Sequence, residues 1–254
     1  MFAFALAIAG CGGGGGDAKL GNAPNSSGPT TTSTQSNVSY IATVKPSLTK
    51  ISVYDKPNDA NPSRELDNPW LYDPDIPSSK VPQVFLVKAQ QPVGWVQVLL
   101  PVRPNGSTGY VKARDVTLTK NTFKIDVALG THTITVHNGS TVIYKGPVAV
   151  GATDPPLPDV GKPTPTPTGE YYLRILLQAP DPDTVYGPYA YGLSSHSDSL
   201  DTFAGSDAEI GIHGNNDASV LGKNVTHGCI RMDNDAITML AKQLPLGTPV
   251  VVTA

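Results

Sequence analysis

The stretch Glu209-Ile-Gly-Ile-His-Gly-Asn-Asn216, followed after a short loop by Val225-Thr-His-Gly-Cys-Ile-Arg-Met232 and then by Asp233-Asn-Asp-Ala-Ile-Thr-Met-Leu-Ala-Lys-Gln-Leu244, decides how this chain is read. Glu209 to His213 alternates and ends at a Gly-Asn-Asn turn, so it reads as a strand that delivers His213 at its tip. Asp233-Asn-Asp ahead of an apolar run with helical spacing reads as a helix start, with Met239 and Leu240 in the core. Gly247-Thr-Pro-Val-Val-Val-Thr253 closes the chain as a strand. The same stretch holds two of the five histidines, His213 and His227, one of the two cysteines, Cys229, and an arginine, Arg231. Core packing alone does not account for that concentration, which marks the candidate site.

Outward from this segment the pattern is mostly β. Phe123 to Leu129 and His132 to His137 alternate, and Asn138-Gly139 between alternating runs is a strong hairpin signal. Thr141 to Tyr144 and Val148 to Gly151 continue the sheet. Lys162-Pro-Thr-Pro-Thr-Pro-Thr-Gly169 reads as a stiff loop leading into another strand. His132 and His137 are expected on strand or turn surfaces. His196 is expected on an exposed loop, with lining of a cleft as the alternative. The 24 prolines and 25 glycines favour many short strands and turns over helices. The fold class expected is mainly β, with a short helix after Cys229.

Before residue 120 a separate unit is expected. Tyr40 to Val44, Ile51 to Tyr54, Val84 to Lys88, Gly94 to Val98 and Gly109 to Lys112 are short alternating runs between turn clusters, as in small antiparallel sheets. Gly94-Trp-Val-Gln-Val98 with Arg103-Pro-Asn-Gly-Ser-Thr-Gly-Tyr110-Val-Lys-Ala-Arg-Asp115-Val resembles the C-terminal half of a bacterial SH3-like barrel, so residues 39–119 are assigned to an SH3-like domain, with 59–82 as a long proline-rich loop. Its expected role is either cell-wall binding and positioning of the next unit, or that of a spacer. Residues 12–38, rich in Gly, Ser and Thr, bury too little to offset chain entropy and read as a disordered tether. The apolar run 1–11 is too short to span a bilayer and reads as an export signal. Its end, Ile8-Ala-Gly-Cys11, resembles a bacterial lipobox, which implies lipidation of Cys11 and an anchor on the outer face of the cell membrane. No Lys or Arg precedes the apolar run, a departure from the usual charged start of such signals. With Cys11 acylated, Cys229 is left as a lone free thiol. Net charge is −3 with pI near 5.9 and no basic run, so nucleic acid is not an expected partner.

The chemistry of the cluster is that of covalent acyl transfer. A free cysteine with a pKa near 8.5 is only about 3% thiolate at neutral pH, so it needs help. The residues offer two sources: His213 as base, and the positive end of the helix after Cys229. Adjacent N–H groups of Gly228 and Cys229 would form an oxyanion hole, each donor worth about 3 kcal/mol. A zinc site of His213, His227 and Cys229 is the chemical alternative, lacking a fourth ligand.

The pattern His213-Gly … Thr226-His227-Gly228-Cys229-Ile230-Arg231 resembles the His … [Ser/Thr]-His-Gly-Cys signature of L,D-transpeptidases with a YkuD-type catalytic domain. The likeness extends through Pro165 to Gly169, Tyr186-Gly-Pro-Tyr189 and Pro245-Leu-Gly-Thr-Pro-Val250, which gives residues 120–254 as the catalytic domain. It implies Cys229 as nucleophile and His213 as acid and base. The backbone carbonyl of Gly214, at a position whose side chain varies in the family, would orient the His213 ring. Thr226, His227 and Gly228 would shape the nucleophile turn. Arg231 would anchor a substrate carboxylate or form a structural salt bridge. The implied activity needs no cofactor and no metal: a thioester with a peptidoglycan tetrapeptide stem, release of D-alanine, and transfer to an amine of another stem or of a wall-linked protein, in cell-wall organisation and cell shape. Hydrolysis of the same acyl-enzyme, an L,D-carboxypeptidase, and a non-catalytic wall-binding lipoprotein are the alternatives.

Overall fold

A computed structural model describes residues 38–72, 79–90, 93–203 and 205–254. The export signal, Cys11 and the tether lie outside the described residues, apart from Val38. The first part contributes β1 (Ser39–Val44), β2 (Lys50–Val53), β3 (Arg64–Asp67), β4 (Trp70–Leu71) and β5 (Lys80–Val81). It continues with β6 (Val84–Gln90), β7 (Trp95–Leu99), β8 (Thr108–Lys112) and β9 (Val116–Asn121). Five of these form an antiparallel sheet in the order β8-β7-β6-β1-β9, and β2, whose hairpin partner is β3, folds back onto β8 through mutual hydrogen bonds of Tyr54 and Tyr110. Ile41, Val53, Phe85, Leu86, Val98 and Val111 fill its core. The span expected to be a loop, 59–82, instead carries three short strands. Buried Asn68 explains the order there: its amide donates to the carbonyls of Lys45 and Leu48 and accepts from Gln83 N–H.

The second part begins one residue after β9, so β9 runs two residues past the boundary expected at 119. Its elements are β10 (Phe123–Ala128), β11 (Thr133–Asn138), β12 (Thr141–Pro147), β13 (Val150–Gly151), β14 (Gly169–Gln178) and β15 (Tyr189–His196). They are followed by β16 (Glu209–His213), β17 (Asn224–Thr226), β18 (Ile230–Arg231), α1 (Asn234–Ala241) and β19 (Pro249–Thr253). Eight strands form one mixed sheet in the order β12-β11-β10-β19-β14-β15-β16-β18. The strand at the C-terminus therefore enters the middle of the sheet, parallel to β10 and antiparallel to β14. Asn138-Gly139 makes the expected hairpin between β11 and β12.

The one α-helix among the described residues forms where its cap predicts, with the Asp233 side chain accepting from Ala236 N–H. Its buried residues Ala236, Ile237 and Leu240 face the sheet, and the Tyr191 hydroxyl of β15 donates to the carbonyls of Leu240 and Leu244 at its C-terminal end. The two cores meet: Tyr172 of β14 is fully buried in the core of the first sheet, and Leu246 packs against both.

Gly247 shows how tight that junction is. It turns into β19 with φ +88°, and a Cβ there would stand 2.5 Å from Cγ2 of Ile41 in β1. Gly247→Ala is expected to lower stability by about 1–3 kcal/mol through strain and overpacking, read in urea unfolding as a lower midpoint with an unchanged slope.

Candidate active site

The site is built from the register between two parallel strands. In β16, Ile210 and Ile212 point into the core, so Gly211 and His213 face the other way. In β18, Ile230 pairs with Ile212 and enters the same core, while Arg231 pairs with His213. That register sets Cys229 beside Gly211. A Cβ on Gly211 would lie 3.0 Å from the Tyr191 carbonyl oxygen, 3.8 Å from His213 Cδ2 and 3.9 Å from Cys229 Sγ, so the ring and the thiol both border this glycine. Gly211 N–H also donates to Cys229 Sγ at 3.3 Å. A glycine inside a strand often signals close approach of another group, and that signal at Gly211 was available in the sequence.

His213 is oriented by the chain itself. Its Nδ1 lies 2.8 Å from the Gly214 carbonyl, which can only accept, so Nδ1 carries the proton and Nε2 keeps its lone pair. The carbonyl is held in turn. Asn234 of α1 accepts from Asn215 N–H and donates to Asn215 O, both at 2.8 Å, and the Asn215 amide donates to Met232 O. A Cβ on Gly214 would stand 2.3 Å from Asn234 Oδ1, so side-chain variation at this position is not open to this chain. Tyr186, half-exposed, covers the His213 ring at 5.0 Å between centroids. Asn215 and Asn234 were given no role from the sequence, and Tyr186 only a place in a stretch of family likeness, because only folding brings the helix start and the Tyr186 turn to His213.

The nucleophile turn rests on the Pro-Thr loop. Thr164 and Thr166, both buried, donate to the carbonyls of Thr226 and Gly228 at 3.0 and 2.7 Å. Pro165 between them restricts the backbone, and the two threonines on either side of it face the same turn. Thr226 Oγ1 donates to Cys229 O at 2.5 Å and accepts from Gly228 N–H at 3.2 Å. That second bond corrects the expected oxyanion hole: Gly228 N–H is directed at Thr226 and is not offered beside the Cys229 N–H. Gly228 has φ +120°, and a Cβ there would meet Ile210 Cδ1 at 2.9 Å.

Further expectations change in the structure. The helix does not abut the nucleophile, because β18 intervenes and Asp233 caps its N-terminus, and a helix field fades within its first turn. His227 Nε2 is bound to Asp159 at 2.8 Å, so His213, His227 and Cys229 do not converge as zinc ligands would. His196 is buried, not exposed, with Nε2 3.2 Å from Asp207. His132 contacts Asn224 and His137 contacts Asp126. Arg231 forms no salt bridge among the described residues, and its buried Nε has no hydrogen-bond partner there.

The electrostatics follow from burial. Desolvation, opposed by the Gly214 carbonyl and aided by the Arg231 charge, lowers the His213 pKa to about 4. Burial pushes the Cys229 thiol up, against the Gly211 N–H bond and the Arg231 charge, which both pull it down. Both shifts favour the uncharged forms, a thiol and a neutral imidazole.

A cysteine and a histidine steered by a main-chain carbonyl thus stand on neighbouring strands at the edge of a mainly β scaffold. The chain belongs to the YkuD family, the L,D-transpeptidase catalytic domain, whose model matches residues 122–252. It is 33% identical over 130 residues to YkuD of Bacillus subtilis (strain 168), a provisionally named L,D-transpeptidase, covering 51% of this chain and 65% of that one. To YqjB of the same organism, named in the same way, it is 36% identical over 109 residues, covering 42% of this chain and 57% of that one. The chain thus spans less than two thirds of these relatives. Among solved structures, an Enterococcus faecium L,D-transpeptidase is similar with a TM-score of 0.38 at 20% identity, covering 52% of this chain and 49% of that one. One from Mycobacterium tuberculosis H37Rv has a TM-score of 0.41 at 15% identity, covering 80% and 77%.

Two outcomes follow from the neutral pair. The alkylation rate of Cys229 with iodoacetamide should rise in one step above the ordinary thiol range; a plateau between about pH 5 and 7 would instead show a thiolate–imidazolium pair. Between roughly pH 6.5 and 4 the unfolded chain takes up a proton at His213 that the folded chain refuses, so stability falls as pH falls through that window. That loss, on the order of 3 kcal/mol, should be absent from His213→Gln when urea unfolding is followed against pH.

Proposed function

We propose that the chain is a peptidoglycan L,D-transpeptidase acting through Cys229 and His213. The observation that carries the reading is that Cys229 Sγ and the His213 ring both border Gly211, while the Gly214 carbonyl engages His213 Nδ1. The Cys229 proton passes to His213 Nε2 as Sγ attacks the carbonyl carbon of the third residue of a tetrapeptide stem, whose bond to the D-alanine nitrogen is the one that breaks. Since both partners start neutral, proton transfer accompanies attack. The tetrahedral oxyanion is met by the Cys229 N–H, since Gly228 N–H is engaged. The intermediate expels D-alanine, which leaves with the proton from His213, and a thioester remains on Cys229. An amine of a second stem or of a wall-linked protein then attacks the thioester, gives its proton to His213, and the thiol is restored. The Arg231 guanidinium, unpaired among the described residues, suits a substrate carboxylate.

The setting proposed for this chemistry is outside the cell membrane. The lipobox supports an anchor through Cys11, and the tether allows reach to the wall. An SH3-like barrel for residues 39–119 is supported by the five-stranded sheet and the folding of β2 onto β8.

The test is incubation of the purified chain with disaccharide tetrapeptide and mass spectrometry of the products, with Cys229→Ala in parallel. Cross-linked dimers and free D-alanine are expected, and the variant should lose essentially all of the acyl transfer. Tripeptide without dimers would assign the chain as an L,D-carboxypeptidase. Binding to sacculi without any product would make it a wall-binding protein, and full activity in Cys229→Ala would overturn the thioester mechanism.

A further inference from the structure

The first sheet reaches into the catalytic part at one place with unusual density. The turn between β7 and β8 is held on itself by Leu100 N–H to Ser107 O and by Ser107 to Pro104 O. From it, Arg103 donates Nη1 to Ser197 O at 2.7 Å and Nη2 to Leu200 O and Asp207 O at 3.0 and 3.1 Å. Its Nε faces Asp207 Oδ1 at 3.4 Å. Asn105 adds a second grip, donating to His196 O at 2.7 Å and to Asp198 Oδ1 at 3.0 Å, and accepting from His196 N–H at 2.9 Å. All these bonds land on one segment, between the end of β15 and the start of β16.

That segment carries Phe203, whose ring lies 4.7 Å from the His227 ring, two residues before Cys229. His227 is held on its other side by Asp159. The segment leads directly into β16, which ends at His213. A guanidinium fork that satisfies three carbonyls at once fixes backbone, not merely charge.

We infer that Arg103 and Asn105 are positioning residues for the active site: they hold the chain on both sides of Phe203, at residues 196–200 and at Asp207, so that Phe203 packs on His227 and forms the wall of the peptide groove beside Cys229. The groove's occupant, a stem peptide, rests on the function proposed above; the placement of Phe203 does not. On this account the first sheet is a working part of the catalytic centre. A spacer would need no such contacts with the segment that leads to β16.

The experiment uses the full chain, with Arg103→Ala, Asn105→Ala, the double variant, Arg103→Lys and Phe203→Leu. In the double variant the His227 ring protons should move, in NMR spectra, toward the positions they take in Phe203→Leu, where the ring current is gone. KM for the tetrapeptide should rise about tenfold while kcat changes less than roughly twofold, because binding geometry is lost and the chemistry is kept. The alkylation rate of Cys229 should stay at its parental value. Arg103→Lys keeps the charge without the fork and should recover only part of the KM effect. Unchanged His227 signals would overturn the inference, as would a joint fall of kcat, alkylation rate and melting temperature, which marks general loosening. Asn105→Ala alone, which leaves the Arg103 grip in place, gives the same readouts if the double variant does not fold. If the parental chain has no activity on stem peptides, the proposed function fails, while the His227 signals still decide whether Arg103 and Asn105 place Phe203.

Discussion

The parallel pairing of Ile212 with Ile230 is the interaction on which the rest depends. Both side chains are fully buried in one core, each contributing about 1.5–3 kcal/mol by leaving water. A slip of one residue would turn either strand over and expose its isoleucine, so the register is firmly specified. With the isoleucines inside, Gly211, His213, Cys229 and Arg231 must share the opposite face. The placing of these four residues is thus a by-product of hydrophobic burial one residue away, and both the thiol and the imidazole border Gly211.

Around that pair main-chain groups orient the histidine, as a carboxylate does in a Ser-His-Asp triad. The Gly214 carbonyl sets the His213 tautomer, and Asn215 with Asn234 sets the carbonyl. A carbonyl carries no full charge, so it orients the ring without raising its pKa as a carboxylate would. Burial then dominates, and the ring stays neutral. The nucleophile turn is treated in the same way. Thr164, Thr166 and Thr226 bond to carbonyls and one N–H, which fixes the loop without charge and leaves Arg231 as the cation beside the thiol.

Much of the fold was legible before any coordinates. The strands at Phe123, Thr133 and Thr141, the Asn138-Gly139 hairpin and the Asp233 cap follow from local periodicity and turn chemistry, which act over a few residues. The span 59–82 was misread because its order comes from Asn68, whose partners Lys45, Leu48 and Gln83 are distant in the chain. His196 was misplaced for a similar reason. Its polar neighbours suggest an exposed loop, but the turn after β7 and the contact with Asp207 enclose it.

For the site, the sequence by itself marked which residues could react: a cysteine after His-Gly, a histidine at a strand end, and glycines where the chain must come close. Tertiary structure alone decided which groups face each other. Gly228 N–H turns to Thr226, His227 turns to Asp159, and Asn234 reaches back from the helix to Asn215. The physical reason is that local pattern specifies conformation and face. The direction of a hydrogen bond, and the pKa of a buried ring, depend on what other strands and turns bring into contact range.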